Sequence, residues 1–177
     1  MVETVKQVEA VPASYPATPD GLSIAATALD HNAVWQRIEA YIAHRWTVRE
    51  VIWTVEGEGD WTPPLSPATI TTAERWESNT WVTVTLPDGP YGYCLPSDGP
   101  YRITANVGAG SVPAPVSEAF RRLAEYLAPG ERHPGAASFK TGLASIDLEE
   151  TRAPTWVAKA MQLSGAADLL RPYRRAQ

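Results

Sequence analysis

Residues 101–128 read YRITANVGAGSVPAPVSEAFRRLAEYLA, and three successive patterns in this stretch decide the fold. Tyr101–Val107 predicts a strand, and residues 108–110 predict a tight turn, because glycine tolerates positive φ without steric cost. Pro113 or Pro115 opens the helix that follows, since a proline in the first helical turn lacks an amide hydrogen that the helix would leave unpaired. One face of this helix is apolar and predicts burial: Val116, Ala119, Phe120, Leu123 and Leu127.

Upstream of this stretch, the patterns predict one further long helix and several strands. The helix covers about Ala33–Arg45, and Asp30 or Asn32 can cap it by accepting the free amide hydrogens of its first turn. The β-branched run Thr47–Val55 predicts a strand. Three more strands are predicted at Ala68–Trp76, Asn79–Leu86 and Tyr91–Leu95. The fold class that follows is α+β, with helices packed on a small antiparallel sheet.

The two ends of the chain are expected to lie outside this core. Residues 1–30 are predicted to form an N-terminal arm, because their first twenty positions are polar and punctuated by proline, although 22–29 can form a short helix. Residues 31–130 form the predicted core domain. Residues 131–177 are predicted to be an irregular linker followed by an extended C-terminal arm that ends in a short helix.

Charge is distributed unevenly along the 177 residues. The net charge is −5, which argues against a surface that holds DNA by neutralising its phosphates. Residues 1–151 carry ten basic and nineteen acidic side chains, whereas residues 152–177 carry five basic side chains and one acidic. A basic tail on an acidic body indicates either an acidic partner for the tail or a solvated charged end.

The residue types that carry catalysis or bind metals are sparse and scattered. His31, His44 and His133 show no metal-ligand spacing, and Cys94, the single cysteine, has no base in its loop. We therefore expect no enzymatic activity, no cofactor and no metal. Apolar runs stay well short of the roughly 20 residues that span a bilayer, and the first residues do not resemble a signal peptide. No membrane association is predicted.

Seven tryptophans are many for this length and need an explanation. Most fall at apolar positions of predicted helices or strands, which favours burial in a core: Trp35, Trp46, Trp53 and Trp81. Trp61 lies in a predicted loop and Trp156 in the tail, so both are candidates for contacts between subunits, where buried aromatic residues dominate binding energy.

Several motifs together resemble the head–tail connector (adaptor) proteins of tailed bacteriophages and gene transfer agents. They are the aromatic helix end and strand at Ile38–Val55, the proline-rich Trp61–Pro67, the strand, glycine turn and Val-Pro helix of residues 101–128, and the ending Ala167–Arg175. Residues 1–30 depart from the family pattern, in which a helical hairpin is common at this position. The resemblance implies a structural subunit without catalytic chemistry.

The resemblance also implies partners and a location. Connector subunits form a ring of about twelve copies under the portal, at the head–tail interface of a virion assembled in the bacterial cytoplasm. Their partners would be the portal protein, the next tail component (a stopper) and one another, and DNA would be only passing cargo. Portal docking would fall to the tail: Trp156, Val157, Met161, Leu169, Leu170, Arg171, Tyr173, Arg174 and Arg175.

Two other readings of the sequence stay open at this stage. A different virion ring protein, such as a stopper or tail terminator, would be built mostly of strands. A carbohydrate-binding module would use exposed Trp61 and Trp76, whose rings offer apolar faces to sugars. An enzyme is a third possibility, but it requires a constellation of residues that the sequence does not show.

Overall fold

The computed structural model of the protein describes residues 2–128, 138–143, 146–151 and 157–174. The chain folds as two compact units, of which the first contains residues 2–16 and 43–111 and the second lies within residues 17–42 and 112–174. Helices and antiparallel sheets are both present, which confirms the predicted α+β class.

The first unit is built on antiparallel strands. Their bounds are β1 Glu3–Glu9, β2 Arg49–Glu56, β3 Gly59–Trp61, β4 Ala68–Glu77, β5 Thr80–Thr83, β6 Asp88–Gly89, β7 Gly92–Leu95 and β8 Pro100–Val107. A five-stranded sheet has the order β1-β2-β8-β4-β5, and a small sheet has the order β3-β7-β6. Ser78 and Asn79 both have positive φ and connect β4 to β5.

The core of the first unit lies on one face of the central strands. β2 pairs with β8 in a register that places Trp53 opposite Ile103, and every second residue of β8 from Tyr101 to Val107 is buried. This alternation follows from the two-residue period of a strand, which sends successive side chains to opposite faces. The strand predicted from the opening stretch of sequence is therefore present, and it lies in the middle of the sheet.

The N-terminal arm predicted for residues 1–30 is wrong for its first part. Residues 3–9 form β1, which pairs with β2. Two of its polar side chains accept hydrogen bonds from buried indoles. The side-chain oxygen Oε1 of Gln7 accepts from Trp53 Nε1 at 2.8 Å, and Thr4 Oγ1 accepts from Trp61 Nε1 at 3.0 Å. The polar composition that suggests an unpaired arm thus supplies the hydrogen-bond acceptors that buried tryptophans need.

The second unit contains the helices. Their bounds are α1 Ile24–Thr27, α2 His31–Tyr41, α3 Ala114–Leu127, α4 Ala160–Leu163 and α5 Ala166–Leu169, followed by a 3-10 turn at Arg171–Tyr173. Asp30 caps α2 as predicted, because its Oδ1 accepts from the Asn32 amide at 3.0 Å. The core includes Trp35 and Phe120, whose ring centroids lie 4.8 Å apart.

Two features of this unit differ from the sequence prediction: the end of α2 and the structure of the predicted linker. α2 ends at Tyr41, not near Arg45, because the chain beyond it turns to sheet-like pairing, in which the Arg45 amide donates to the Ser66 carbonyl. The linker predicted to be irregular contains a hairpin of β9 Ser138–Leu143 and β10 Ile146–Thr151. Ile146–Glu149 alternates apolar and acidic residues, which is the period of a strand.

Candidate docking site in the C-terminal helical segment

The residues that sequence analysis assigned to docking fall mostly in residues 157–174, called here the C-terminal helical segment. It consists of α4, α5 and the 3-10 turn. Gly165 separates α4 from α5 with a φ of +75°, a conformation that residues with a side chain rarely adopt. The Ser164 hydroxyl accepts a hydrogen bond from the Ala166 amide, so the second short helix begins at once.

One face of the C-terminal helical segment is part of the folded unit. α4 and α5 both pack against α3. Leu170 and Ala166 are completely buried, and Met161 is only 7% exposed. Met161 and Leu170 were predicted as contacts for a partner, but in this structure they contact the protein's own interior. The expectation that few core contacts involve the tail is therefore wrong.

The opposite face is exposed and retains the remaining candidates. Val157 is 43% exposed, and Leu163, which the sequence did not single out, is 56% exposed. The other predicted docking residues divide as follows: Arg171 and Arg174 are exposed, Leu169 and Tyr173 are half-buried, and Trp156 and Arg175 lie outside the described residues. No signal in the sequence singles out Leu163, because isolated exposed leucines are common on protein surfaces.

A groove of about 380 Å³ runs between α2 and the start of the C-terminal helical segment. Its lining is Arg37, Ala40, Tyr41, Ala158, Lys159, Met161 and Gln162. Arg37 Nη2 donates a hydrogen bond to the Val157 carbonyl. The guanidinium carbon of Arg174 lies over the Tyr41 ring, 4.9 Å from its centroid. These residues, with Arg174 at the rim, are called the basic groove.

The cations of the basic groove differ from Arg121, Arg122 and Arg171 of the second unit in having no carboxylate partner among the described residues. Arg121 and Arg122 both pair with Glu118, and Arg171 lies 3.2 Å from Asp168. In contrast, Arg37, Lys159 and Arg174 form no ion pair with any carboxylate in the described part of the chain. Sequence analysis assigned only Arg174 of these three to docking. Lys159 was counted only in the basic charge of the tail, and Arg37 lies more than a hundred residues from it.

The groove therefore presents three positive charges that no carboxylate of the described residues neutralises: Arg37, Lys159 and Arg174.

The first unit carries the opposite charge. Three of its carboxylates form ion pairs. Glu9 pairs with Arg45 and Arg49, Glu74 pairs with Arg102, and Glu77 pairs with Arg75. The others are exposed and form no ion pair within the described ranges: Glu3, Glu50, Glu56, Glu58, Asp60, Asp88 and Asp98. These seven residues are called the acidic surface, and Lys6 is the one cation of residues 2–16 and 43–111 that is outside the three pairs.

Two of the paired carboxylates of the first unit, Glu9 and Glu74, are held in their charged form. Burial raises the pKa of Glu9, but the hydrogen bond and charge of Arg45, together with Arg49, outweigh that effect and leave the pKa below its ordinary value. The hydrogen bond from Arg102 lowers the pKa of Glu74. Glu9 and Glu74 therefore keep their charge, and with it their ion pairs, below the pH at which an ordinary glutamate takes up a proton.

The tryptophans proposed for binding occupy different environments. Trp61 is 4% exposed and belongs to the core of the first unit, with its ring 5.5 Å from that of Trp53. Its role as a subunit contact is therefore wrong, and so is its role in a sugar-binding face. Trp76 is 39% exposed and meets Trp81 edge-to-face at 5.1 Å. Without Trp61, a flat face of two tryptophans for a glycan is not formed.

Within the residues that the structure describes, no group of three or more His, Cys, Asp and Glu side chains is placed to hold a metal ion. In the same part of the chain, no helix is long and apolar enough to cross a bilayer. Cys94 is half-buried in β7. Comparison with protein-family models, with curated protein sequences and with solved structures finds no match for this chain.

Proposed function

We propose that this protein is a structural head–tail connector (adaptor) subunit of a tailed phage or gene transfer agent. The observation that carries the proposal is the continuous chain segment of β8, the glycine turn and α3. Gly108 has a φ of +109°, and a Cβ there would collide with the Thr47 carbonyl oxygen, so the turn requires glycine. Pro113 occupies the N-cap position of α3 without a side-chain cap, and Pro115 lies in the first turn, where its missing amide hydrogen costs nothing. Gly108 and Pro115, two special residues of the motif on which the resemblance depends, thus each have a structural reason.

The acidic surface supports a role beside DNA without binding it. Seven exposed carboxylates that do not pair would repel the phosphates of a duplex that slides past them. Binding by phosphate neutralisation requires an excess of Lys and Arg, which residues 2–16 and 43–111 do not have. DNA is therefore passing cargo in this proposal.

The exposed face of the C-terminal helical segment supports docking to a portal protein. Val157 and Arg174 present apolar area and positive charge on one short stretch. Apolar burial gives such a contact its affinity, and charge sets its orientation and association rate. The next tail component, a stopper, would contact another face of the same subunit.

The proposed assembly is a closed ring of identical subunits. A head-to-tail interface that closes on itself gives cyclic symmetry, and the resemblance implies about twelve copies on a portal. The subunit carries opposite charges that could complement each other in a head-to-tail contact: an acidic surface in the first unit and the basic groove in the second.

Co-sedimentation of the purified full chain with portal-bearing, tail-less heads tests the proposal. We expect saturable binding at a fixed ratio of about twelve chains per head, and loss of binding to heads that lack the portal. In parallel, the free chain should bind duplex DNA at physiological salt only with a Kd weaker than about 1 μM. Binding to portal-free heads, no binding at all, or tight DNA binding would contradict the proposal.

A further inference from the structure

We infer that the basic groove is a receptor for an acidic peptide segment of a partner protein. The inference rests on the proposed function only for the identity of the partner, which would be a component of the head or tail. The groove itself is a property of the second unit and can be measured on the purified chain. Its ligand class follows from its charges, its floor and its shape.

The charges select an anion with several separate negative groups. Arg37 belongs to α2, whereas Lys159 precedes α4 and Arg174 follows the 3-10 turn. No carboxylate in the described part of the chain pairs with any of the three. Cations supplied by three different elements match carboxylates spaced along a chain better than the single compact charge of a phosphate.

The floor of the groove favours a peptide over a small ion. Ala40, Tyr41, Ala158 and Met161 provide apolar and aromatic area between the cations. Aliphatic stems of Glu side chains would cover this area while their carboxylates reach the rim. A free inorganic anion would gain nothing from it.

The shape of the groove argues against an enclosed small-molecule site. At about 380 Å³ it has the volume of a modest ligand site, but it is open to solvent. A small molecule is usually bound with most of its surface enclosed. A peptide segment, which can keep part of its own surface in solvent, fits an open groove.

Two of the three cations are already ordered for binding. Arg37 is fixed by its hydrogen bond to the Val157 carbonyl, and Arg174 is stacked on Tyr41. Side chains that are held in place lose less conformational freedom when a ligand arrives. Lys159 is exposed and adjustable, and it would supply the third charge.

The test uses the full chain and a fluorescein-labelled hexaglutamate peptide, followed by fluorescence anisotropy at low salt. The double variant Lys159→Gln/Arg174→Gln should bind at least about tenfold more weakly than the natural chain. The matched control is Arg122→Gln/Arg171→Gln, which removes the same charge from cations that already pair with Glu118 and Asp168. The control should change the Kd by less than about twofold.

Several results would overturn the inference. They are equal loss of binding in the control, binding of a hexaglutamine peptide as tight as that of hexaglutamate, and displacement of the labelled peptide by inorganic phosphate or duplex DNA at matched charge concentration. Absence of measurable hexaglutamate binding would also overturn it. If the double variant does not fold, Lys159→Glu at an exposed position gives the same readout, because its side chain makes no contact that the fold needs.

The groove and the proposed function fail in different ways. Heads that bind the chain normally while hexaglutamate does not bind would leave the connector proposal intact and remove the groove. Hexaglutamate binding without any binding to heads would do the reverse. If both hold, excess hexaglutamate should compete with heads for the natural chain but should have little effect on head binding by the double variant.

Discussion

Leu170→Ala is the substitution that best tests whether the C-terminal helical segment belongs to the folded core. Leu170 is fully buried and directly follows α5, which packs against α3. The change removes roughly three methylene equivalents at about 0.8 kcal/mol each. With a modest term for the cavity left behind, the free energy of unfolding should fall by about 3 kcal/mol.

Leu163→Ala is the matched control, because it makes the same chemical change seven positions away in the same segment. Leu163 is 56% exposed, so less than half of its surface is withdrawn from water. The expected loss is about 1 kcal/mol or less. Urea denaturation of the full-length variants, followed by tryptophan fluorescence and far-ultraviolet circular dichroism, measures both values.

The comparison between the two leucines decides the question. If both variants unfold at the urea midpoint of the natural chain, the segment does not pack on α3 in solution, and the reasoning from burial fails. If both lose about 3 kcal/mol, Leu163 is buried by a contact that the structure does not show. Only an unequal loss, larger at Leu170, agrees with the packing described here.

Three further predictions concern the first unit. Gly108→Ala should destabilise the protein by about 3 kcal/mol, because the new Cβ would meet the Thr47 carbonyl, whereas Gly110→Ala, which has open space around it, should cost about 1 kcal/mol from positive φ alone; thermal melting compares them. The folded-state pKa of Glu9 lies below the ordinary 4.5, so its contribution to stability is present above that pH and is lost as the pH falls through the lowered value. Glu9→Gln should therefore reduce stability at neutral pH by about 1–2 kcal/mol and flatten the acid dependence of the urea midpoint, whereas an unchanged acid profile would show that Arg45 does not hold the carboxylate. Trp53→Phe removes the Nε1–H that donates a hydrogen bond to Gln7 Oε1. In hydrogen exchange, it should reduce the protection of the β1 amides more than that of the amides in the other strands.

The parts of the fold that sequence reasoning found are those fixed by neighbours in the chain. The buried face of α3, with Phe120 and Leu123, follows from a helical period within one stretch of sequence, and the Asp30 cap depends on amides two and three positions away. β8 is found for the same reason, because alternation and the glycine turn are local signals.

The parts that it missed depend on partners that are distant in the chain. β1 is a strand because its backbone pairs with β2, more than forty residues later, and no local pattern in a polar, proline-punctuated segment reveals this partner. Trp61 has the sequence context of a loop residue, yet it is buried against Trp53, and Thr4 Oγ1 accepts the hydrogen bond that its Nε1 donates. The basic groove joins α2 to a segment about 120 residues away, so its cations cannot be grouped from the sequence.

Burial of one face of the C-terminal helical segment changes how docking by that segment should work. A disordered tail would lose its conformational freedom on binding, and this loss would weaken the contact. Here Ala166 and Leu170 already hold the segment on α3, so Val157 and Arg174 are presented on an ordered surface and less freedom remains to be lost. It follows that substitutions on the two faces should separate: those at Val157 and Arg174 should weaken partner binding without lowering stability, whereas those at Leu170 should lower both.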